Sequence, residues 1–445
     1  MKVIALIDGE HYPSVTRWGL ASARAAGYEV VEALVVGGME KLDARRSLEL
    51  GGIRVVRGED DPRSALGEAL DGQTVDAVLD LSDEPVLGYD RRMELVAIAL
   101  SRGIAYVGPD FRFDSPLAEA PLPQATVGVI GTGKRVAKTA VGGHVARLAD
   151  ADGRRPVVVA MGRGGPPEPV VAGPEDVTLD ALLARVERGE HAASDYLEDA
   201  LTSGVPTVGA RRCGGGLAGR PYVTNVAEAA DLAASSGAGM VILEGSGASV
   251  PTVPWDAGIL VAPGALPVHH LAGYMGPLKL LLSDLVVFII DSDSRSGREH
   301  LSTLESQARR LHTDIRVAIV ELQPHPMEDV RDRDAFLATT AKPEVAERLV
   351  GSLEEVSGCR VVAFSASLSD REGLERDIAA SPPFDVMVTE LKAAAVDVAA
   401  RRALDRGAGV VFLDNRPISA GGDGEVDGLM RDVLALAARR AEERA

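Results

Sequence analysis

The 445-residue sequence has few of the residues that would indicate a secreted, zinc-binding or membrane-spanning protein. Its two cysteines, Cys213 and Cys359, are too few for a disulfide framework and lack the spacing of a zinc site. The longest apolar run, 278–290, is interrupted by polar residues and is too short to span a bilayer. The opening residues MKVIALIDGE are typical of a strand and a charged turn rather than a signal peptide. We therefore expect a cytoplasmic protein in a reducing compartment, with no membrane partner.

Aromatic residues and lysine are also scarce. Aromatic residues make up 4% of the chain, so the cores must consist mainly of Ala, Val, Leu and Ile. The formal net charge is −19, and a surface this acidic repels nucleic acid, which we exclude as a partner. Of the 47 basic residues, 40 are arginine and seven are lysine. Two of these seven, Lys134 and Lys138, lie in one short segment, which directs attention there.

Short runs rich in Val and Ile alternate with stretches of helical composition along the whole chain. This alternation predicts an α/β protein with parallel sheets and crossover helices. In the first third we predict strands at 3–7, 30–36, 53–56, 77–81 and 105–107. Later strands are predicted at 125–130, 156–160, 240–243, 259–261, 285–290, 315–320, 360–364, 385–388 and 409–413. Helices are predicted at 15–26, 91–101 and 391–406.

A proline-rich stretch, SPLAEAPLP at 115–123, predicts a linker between two α/β domains. We expect an N-terminal Rossmann-like parallel-sheet domain in 1–123. A P-loop NTPase α/β domain is expected in 124–370. A C-terminal α/β extension packed on the P-loop domain is expected in 371–445.

The segment ATVGVIGTGKRVAKTA, from Ala125 to Ala140, is the strongest chemical signal. A predicted strand enters a glycine-containing loop, and Lys138-Thr139 opens a helix. Backbone N–H groups of such a loop point at phosphate together with the helix N-terminus. Lys138 would reach the β- and γ-phosphates of ATP, and the Thr139 hydroxyl would bind Mg²⁺. The predicted nucleotide-binding residues are Gly131, Thr132, Gly133, Lys134, Arg135, Val136, Ala137, Lys138 and Thr139.

The loop departs from the standard pattern GxxxxGK[ST] in two respects. Ala137 stands where the pattern has glycine, and the first glycine lies one position early. We expect the alanine to be accommodated by a negative φ. The alternative interpretation is a glycine-containing turn of an ordinary doubly wound sheet.

A second apolar strand, in MVILEGSGAS at Met240–Ser249, ends at Glu244. P-loop enzymes place an acidic group for Mg²⁺ at the carboxyl end of a neighbouring strand. We therefore predict Thr139 and Glu244 as the metal ligands. A capping carboxylate is the alternative role for Glu244.

Arginines beside glycines mark two stretches predicted as long loops, 162–176 and 204–222. This combination suits the binding of an anion, although flexible surface loops would explain the composition equally well. Arginine favours bidentate phosphate contacts. The predicted substrate-binding residues are Arg163, Gly164, Gly165, Arg211 and Arg212.

Two polar clusters follow strands of the first domain, where open α/β sheets place their ligand sites. One contains Asp8, Glu10, His11 and Tyr12, and the other contains Asp80, Ser82, Asp83 and Glu84. Metal or hydroxyl binding is one interpretation of these clusters. The interpretation we favour is that they are solvated turn residues.

Several long segments resemble the cyclic 2,3-diphosphoglycerate synthetase family. They are ALIDGEHYP near the start, DLSDEPVLGY at 80–89, IGTGKRVAKTAVGGH at 130–144, AMGRGGPPEP at 160–169, ASDYLEDAL at 193–201, LEGSGAS at 243–249 and ELKAAAVDVAARRAL at 390–404. The P-loop segment and LEGSGASVP are also similar to the corresponding segments of dethiobiotin synthetase.

The resemblance implies a homodimeric, ATP- and Mg²⁺-dependent ligase that acts on 2,3-bisphosphoglycerate. The product would be a cyclic phosphoanhydride, with release of ADP and phosphate. We predict Lys134, Arg135, Lys138 and Glu244 as the catalytic residues, with Lys134 stabilising the transferring phosphoryl group. Two alternatives stay open from the motif alone: a P-loop switch ATPase, and a small-metabolite kinase whose product is not a ring.

Overall fold

The computed structural model describes residues 1–39, 49–290 and 295–445. The chain begins with a sheet in the order β3-β2-β1-β4-β5-β6, in which the β5–β6 pair is antiparallel and the other pairs are parallel. The elements are β1 (Lys2–Ile7), α1 (Pro13–Ala25), β2 (Glu29–Val35), β3 (Arg54–Arg57), α2 (Pro62–Asp71), β4 (Ala77–Asp80), α3 (Tyr89–Ser101), β5 (Ala105–Val107) and β6 (Arg112–Phe113).

The second part of the chain forms the first strands of a separate, larger sheet. It begins with β7 (Ala125–Gly131), α4 (Lys138–Ala151), β8 (Pro156–Gly162), β9 (Val170–Ala172), α5 (Leu179–Glu187), α6 (Asp195–Ser203), β10 (Thr207–Cys213), β11 (Val223–Thr224) and α7 (Val226–Ser235). It continues with β12 (Met240–Glu244), β13 (Ala257–Pro263), α8 (Val268–Ala272), α9 (Gly276–Leu281), β14 (Leu285–Ile289), α10 (Arg295–Leu311) and β15 (Arg316–Pro326).

The third part extends the same sheet across an antiparallel pair of long strands, β15 and β19. Its elements are β16 (Asp334–Ala338), α11 (Pro343–Ser357), β17 (Arg360–Ser365), α12 (Arg371–Ala380), β18 (Val386–Thr389), a π-helix (Ala395–Ala400), α13 (Arg401–Asp405), β19 (Gly409–Gly422) and α14 (Val426–Arg444). The strand order is β11-β10-β8-β12-β7-β13-β14-β15-β19-β18-β16-β17, with β9 paired to β10.

Apolar packing joins the three parts. Helices α3 and α9 contact each other, and one cluster of buried residues contains Leu95 of α3 together with Leu278 of α9. The C-terminal helix α14 returns to the second part, where its Met430 lies in the cluster that contains Val127 of β7. The β7 strand, which leads into the P-loop, is therefore buried between neighbouring strands and under a helix from the far end of the chain.

The α/β class and the predicted strands agree with the structure. Each predicted strand corresponds to an observed one, although several observed strands are longer; β19, for example, runs to Gly422. Five strands were not predicted. They are β6, β9, β10, β11 and β16. The stretch 204–222 is therefore not wholly a loop, because β10 forms parallel pairs with β8 in spite of its glycine and arginines. The division into domains at residues 123 and 370 stays a prediction.

One further prediction concerns a single helix. The helix predicted at 391–406 is present from Ala395, first as a π-helix and then as α13, and a loop precedes it. Among the described residues, no helix combines the length and the apolar character needed to cross a bilayer.

Candidate functional site

The predicted P-loop joins the buried strand β7 to helix α4. Gly131 ends the strand, and the N–H of Thr132 donates to the carbonyl of Val261 on β13 at 3.1 Å. Val136 is buried beneath the loop, whereas Lys134 and Arg135 lie exposed at its tip. Lys138 folds back over the loop, and its Nζ donates to the carbonyl of Gly133 at 2.9 Å. The strand, loop and helix thus occur in the order that phosphate binding requires.

Ala137 does not have the negative φ that we expected. Its φ is 65°, in the left-handed region, and Arg135 in the same loop has a φ of 60°. The left-handed conformation costs a non-glycine residue roughly 1–2 kcal/mol. The loop must turn sharply to place α4 with its N-terminus beside the loop, and this turn overrides the preference of the alanine. The two strained residues flank Val136, whose burial holds the turn in place.

Lys279 is a third lysine at the loop that sequence reasoning missed. It lies on α9 with 8% of its surface exposed, and its Nζ donates to the carbonyl of Gly131 at 2.8 Å. Burial, reinforced by the nearby charge of Lys138, lowers the pKa of Lys279 to about 8. The scarcity of lysine was the one sequence feature that could have identified Lys279. The apolar segment around it does not otherwise indicate that an ammonium group is buried there for a purpose.

Glu244 ends β12, which lies between β7 and β8, so its side chain stands next to the start of α4. The residue is 4% exposed, and its Oε1 has no hydrogen-bond partner within the described residues. Burial raises the pKa of Glu244 to about 8, partly offset by the charge of Lys138. Burial likewise lowers the pKa of Lys138 to about 8, although Glu244 opposes this change. The charge of each group therefore acts on the other inside the protein.

A second acidic group, on helix α6, was also missed. Asp195 begins this helix, and a Cβ added to Gly162 at the end of β8 would lie 2.9 Å from its Oδ2. After burial and Lys138, the charge of Asp195 is the next largest influence on the pKa of Glu244, which it raises. Asp195 therefore faces the same space as Lys138 and Glu244. Nothing in its local sequence distinguished it from an ordinary acidic residue in the first turn of a helix.

Arg163 and Arg212 converge near the loop that follows Glu244. A Cβ added to Gly247 would lie 3.0 Å from a terminal nitrogen of Arg163 and 3.3 Å from one of Arg212. Arg212 donates to the carbonyls of Ser246 at 2.8 Å and Gly214 at 2.7 Å, while its buried Nε has no partner within the described residues. Burial, with the charge of Arg163, lowers the pKa of Arg212. This pair forms a local basic surface in an otherwise acidic protein.

The remaining predicted substrate residues have different surroundings. Arg211 points away from this pair, and its Nε donates to the carbonyls of Pro166 at 2.9 Å and Gly165 at 3.3 Å. A Cβ added to Gly165 would overlap the carbonyl oxygen of Ala210, so glycine is needed for the close approach of the loop to β10. Gly164 faces open space.

The residues present fit a Mg²⁺ ion bound together with a nucleotide. No group of three or more His, Cys, Asp or Glu side chains that could hold a metal ion occurs within the described ranges. Mg²⁺ in nucleotide enzymes is held by only one or two protein groups plus phosphates and water, so such a group is not required. The unpartnered Oε1 of Glu244 supplies an oxygen ligand of the appropriate chemistry.

The two N-terminal clusters agree only in part with the interpretation that they are solvated, because Tyr12, Asp83 and Glu84 are exposed but two aspartates are buried. Asp8 and Asp80 are each 2% exposed. Asp8 accepts hydrogen bonds from the backbone of His11 and Asp83. Asp80 accepts from Arg92 at 2.9 Å and from the Tyr106 hydroxyl at 2.8 Å. These two carboxylates therefore order their own loops, and their oxygens are occupied by protein donors.

Comparison with known proteins identifies the family. The models for cyclic 2,3-diphosphoglycerate synthetase match the chain in three consecutive regions: the N-terminal domain at residues 2–114, the P-loop domain at 126–320 and the C-terminal domain at 326–416. The chain belongs to the cyclic 2,3-diphosphoglycerate synthetase family. It is therefore an enzyme with a P-loop nucleotide-binding domain, as the sequence predicted.

Full-length relatives carry the same description. A cyclic 2,3-diphosphoglycerate synthetase from Rubrobacter xylanophilus is 44% identical over 97% of this chain and 97% of its own. Those from Methanosphaera stadtmanae and Methanothermobacter thermautotrophicus are each 39% identical over 98% of this chain and 96% of theirs. A crystal structure of a DUF1611 family protein from Anabaena variabilis covers 84% of this chain and 96% of its own at 12% identity, with a TM-score of 0.19, too low to support any inference.

Proposed function

We propose that this enzyme uses ATP to close 2,3-bisphosphoglycerate into cyclic 2,3-diphosphoglycerate, releasing ADP and phosphate. The observation that supports this most strongly is the juxtaposition of two features. A lysine-bearing P-loop lies beside Glu244. Arg163 and Arg212 come together at Gly247, in the loop that follows Glu244. The first feature suits a nucleotide and the second an anionic substrate, in a chain that matches the synthetase family in all three of its regions.

The proposed reaction has two displacement steps. An oxygen of one substrate phosphate attacks the γ-phosphorus of ATP, and the bond from this phosphorus to the β-phosphate oxygen breaks, releasing ADP. The second substrate phosphate then attacks the phosphorus of the newly activated phosphate. The bond to the added phosphoryl group breaks, inorganic phosphate leaves, and the new P–O–P bond closes the ring. Each step joins anions, so positioning and positive charge supply the catalysis.

The residues of the loop have separate proposed roles. Lys138 leaves the carbonyl of Gly133 to contact the β- and γ-phosphates, and the backbone N–H groups of 133–137 surround them. Lys134 and Arg135, exposed at the loop tip, contact the transferring phosphoryl group. Thr139 and Glu244 would hold Mg²⁺, with Asp195 facing the same space. Bound there, Mg²⁺ would neutralise charge on the phosphate oxygens.

Arg163 and Arg212 are proposed to hold the phosphates of the bisphosphoglycerate. Arg212 is already oriented by the carbonyls of Ser246 and Gly214, and one of its terminal nitrogens lies beside that of Arg163 at Gly247. Arg211 is proposed to act at one remove, because it orders the loop at 165–166 through that loop's carbonyls. We also propose, from the family resemblance, that the enzyme is a homodimer of the cytoplasm, where ATP is available.

Incubation of the enzyme with ATP, Mg²⁺ and 2,3-bisphosphoglycerate, followed by ³¹P NMR, tests the function. We expect the two monoester resonances to be replaced by phosphoanhydride resonances, with one ADP and one inorganic phosphate formed per ring. Lys138→Ala serves as the inactive control. A stable phosphorylated product without free phosphate would instead indicate a kinase. ATP hydrolysis with unchanged bisphosphoglycerate would indicate a switch ATPase.

A further inference from the structure

Lys392 connects the last part of the chain to the acidic face of α6, which carries Asp195, Glu198 and Asp199. It lies just after β18, which pairs with β16 on one side and β19 on the other. Its Nζ forms an ion pair with Oε1 of Glu198 at 2.9 Å, and the Glu198 side chain is 11% exposed whereas that of Lys392 is 41% exposed. Asp195, on the same helix as Glu198, lies at the end of β8, where its Oδ2 would be 2.9 Å from a Cβ added to Gly162, and α6 packs against α4. Helix α6 thus contacts the C-terminal part of the chain through Glu198 and lies beside the nucleotide site at Asp195.

Apolar packing fixes the loop that carries Lys392. Its neighbour Leu391 and Phe412 of β19 share one buried cluster with Tyr196 and Leu197 of α6. The ion pair therefore lies on an interface with its own apolar core. An ammonium group held in this way loses less conformational freedom on pairing than a lysine on an open surface.

The acidic face of α6 requires such a cation. Asp199 is 1% exposed, and neither of its carboxyl oxygens has a hydrogen-bond partner among the described residues. Asp195, Glu198 and Asp199 bring three carboxyl groups onto one short helix, with Glu244 nearby. Buried carboxyl groups without compensation are strongly unfavourable. The C-terminal part of the chain supplies the compensating ammonium group.

We propose that Lys392 is a positioning residue for phosphoryl transfer, which by neutralising the buried carboxylate of Glu198 allows α6, and with it Asp195, to pack against α4 beside the P-loop. Burial alone would lower the pKa of Lys392, but the carboxylates of Glu198 and Glu390 raise it above its usual value, so the residue stays charged. The identity of the reaction that Lys392 supports rests on the proposed function. The effect of Lys392 on the nucleotide site does not depend on which reaction that is.

The test compares Lys392→Met, Lys392→Arg, Glu198→Gln and the double variant Lys392→Met/Glu198→Gln. For Lys392→Met we expect kcat for ADP release to fall about tenfold or more, with KM for ATP within about twofold of wild type, because the P-loop itself is unchanged. Lys392→Arg should keep most of the activity. The double variant should regain most of the activity lost in Lys392→Met, because the uncompensated buried carboxylate is gone.

Arg402→Met is the matched control, since Arg402 pairs with Glu375 at 2.7 Å on the same part of the chain and is half exposed. It should retain wild-type kcat. The proposal is wrong if Lys392→Met keeps wild-type kcat, or if the double variant is as inactive as Lys392→Met. The second result would mean that Lys392 acts on the substrate rather than through Glu198. If Lys392→Met does not fold, the double variant and Lys392→Arg decide the matter in the same assay.

ADP release and ring formation are measured in the same samples, which separates this proposal from the proposed function. A wild-type enzyme that releases ADP without forming a ring would contradict the proposed function. The comparison of ADP-release rates among the Lys392 and Glu198 variants would still decide the role of Lys392.

Discussion

Glu244 occupies the space that Gly142 leaves by having no side chain. A Cβ added to Gly142 would overlap Oε1 of Glu244 and lie 2.7 Å from its Cδ. Gly142 lies on the first turns of α4, just beyond the P-loop, so the helix that presents its N-terminus to phosphate also admits the carboxylate of the neighbouring strand. The close approach of α4 to β12 therefore depends on a glycine.

Gly142→Ala should displace the Glu244 carboxylate. Activity should fall because Mg²⁺ binds more weakly. Overlap with the end of a side chain can be relieved by rotation, so we expect the protein to fold but to need about tenfold more Mg²⁺ for half-maximal ADP release. Gly143→Ala is the control, because its added Cβ would meet the Thr202 hydroxyl at 3.3 Å and should not disturb Glu244. Equal Mg²⁺ requirements for the two variants would contradict the assignment of Glu244 to the metal.

Glu244→Gln should weaken the binding of Mg²⁺ more than the binding of ATP. It should also remove the dependence of the Mg²⁺ affinity on pH. Burial raises the pKa of Glu244 to about 8, so in the free enzyme the carboxyl group is protonated below this pH and ionises as the pH rises. Mg²⁺ binds the ionised form, so its apparent affinity should increase by up to about tenfold per pH unit between about pH 6 and 8, then level off.

Mg²⁺ titrations of ADP release at several pH values check this sign. Glu32→Gln, a substitution at a 2% exposed carboxylate in the N-terminal sheet, is the control and should leave the wild-type pH trend intact. A Mg²⁺ half-saturation in wild type that does not change with pH would count against Glu244 as a ligand. So would an unchanged titration in Glu244→Gln.

The parts of this site that the sequence predicted depend on residues close together in the chain. The strand–loop–helix around Lys138 and the acidic end of β12 are both local patterns, in which composition and order identify the element and the chemistry. The same holds for the strands, whose apolar runs are read over a few residues. The β10 strand was missed because its sheet partners, and not its own composition, make it a strand.

The missed residues are those that only the tertiary fold brings to the loop. Lys279 is 148 positions from Gly131, whose carbonyl it binds, and Lys392 reaches Glu198 from another part of the sheet. Asp195 lay in a recognised segment but gained its meaning only when α6 was placed beside α4. Ala137 shows the converse, because its own preference predicted a negative φ and the geometry of the loop imposed a positive one.

Lys138→Ala should abolish ATP-dependent product formation while leaving the fold intact. The residue opens α4, where alanine is well tolerated, and its one described hydrogen bond is to the carbonyl of Gly133. Thermal unfolding checks the fold, and ADP release checks the activity. Retention of more than about a tenth of wild-type activity corresponds to a loss below about 1.4 kcal/mol and would remove Lys138 from its proposed role.

Ala137→Gly should stabilise the protein by about 1 kcal/mol, because glycine adopts the observed φ of 65° without the penalty of a Cβ. We expect the midpoint of thermal unfolding to rise by a few degrees. Ala140→Gly, three positions further into α4, should have the opposite effect, since glycine in a helix costs about 0.5–1 kcal/mol relative to alanine. A lower midpoint for Ala137→Gly than for wild type would show that the alanine side chain makes a compensating contact.

The arginines should separate binding of the substrate from binding of ATP. Ring closure brings two phosphates beside a triphosphate, and an acidic protein must offset that charge locally. Arg163→Ala and Arg212→Ala should each raise KM for bisphosphoglycerate about ten- to a hundredfold, because a lost charge-assisted contact costs roughly 1.5–3 kcal/mol. KM for ATP should move little. Arg211→Ala should have a smaller effect, because Nε of Arg211 is bonded to the carbonyls at 165–166.

Initial-rate measurements with each substrate varied in turn provide the test. Arg220→Ala, at an exposed arginine of the neighbouring glycine-rich loop, is the control and should retain the wild-type KM for both substrates. Lys134→Ala should lower kcat rather than raise either KM, since its partner charge develops on the transferring phosphoryl group. Wild-type KM values for bisphosphoglycerate in both Arg163→Ala and Arg212→Ala would mean that the substrate binds elsewhere. The N-terminal cluster would be a poor replacement, because Asp8 and Asp80 are committed to protein donors and repel a bisphosphate.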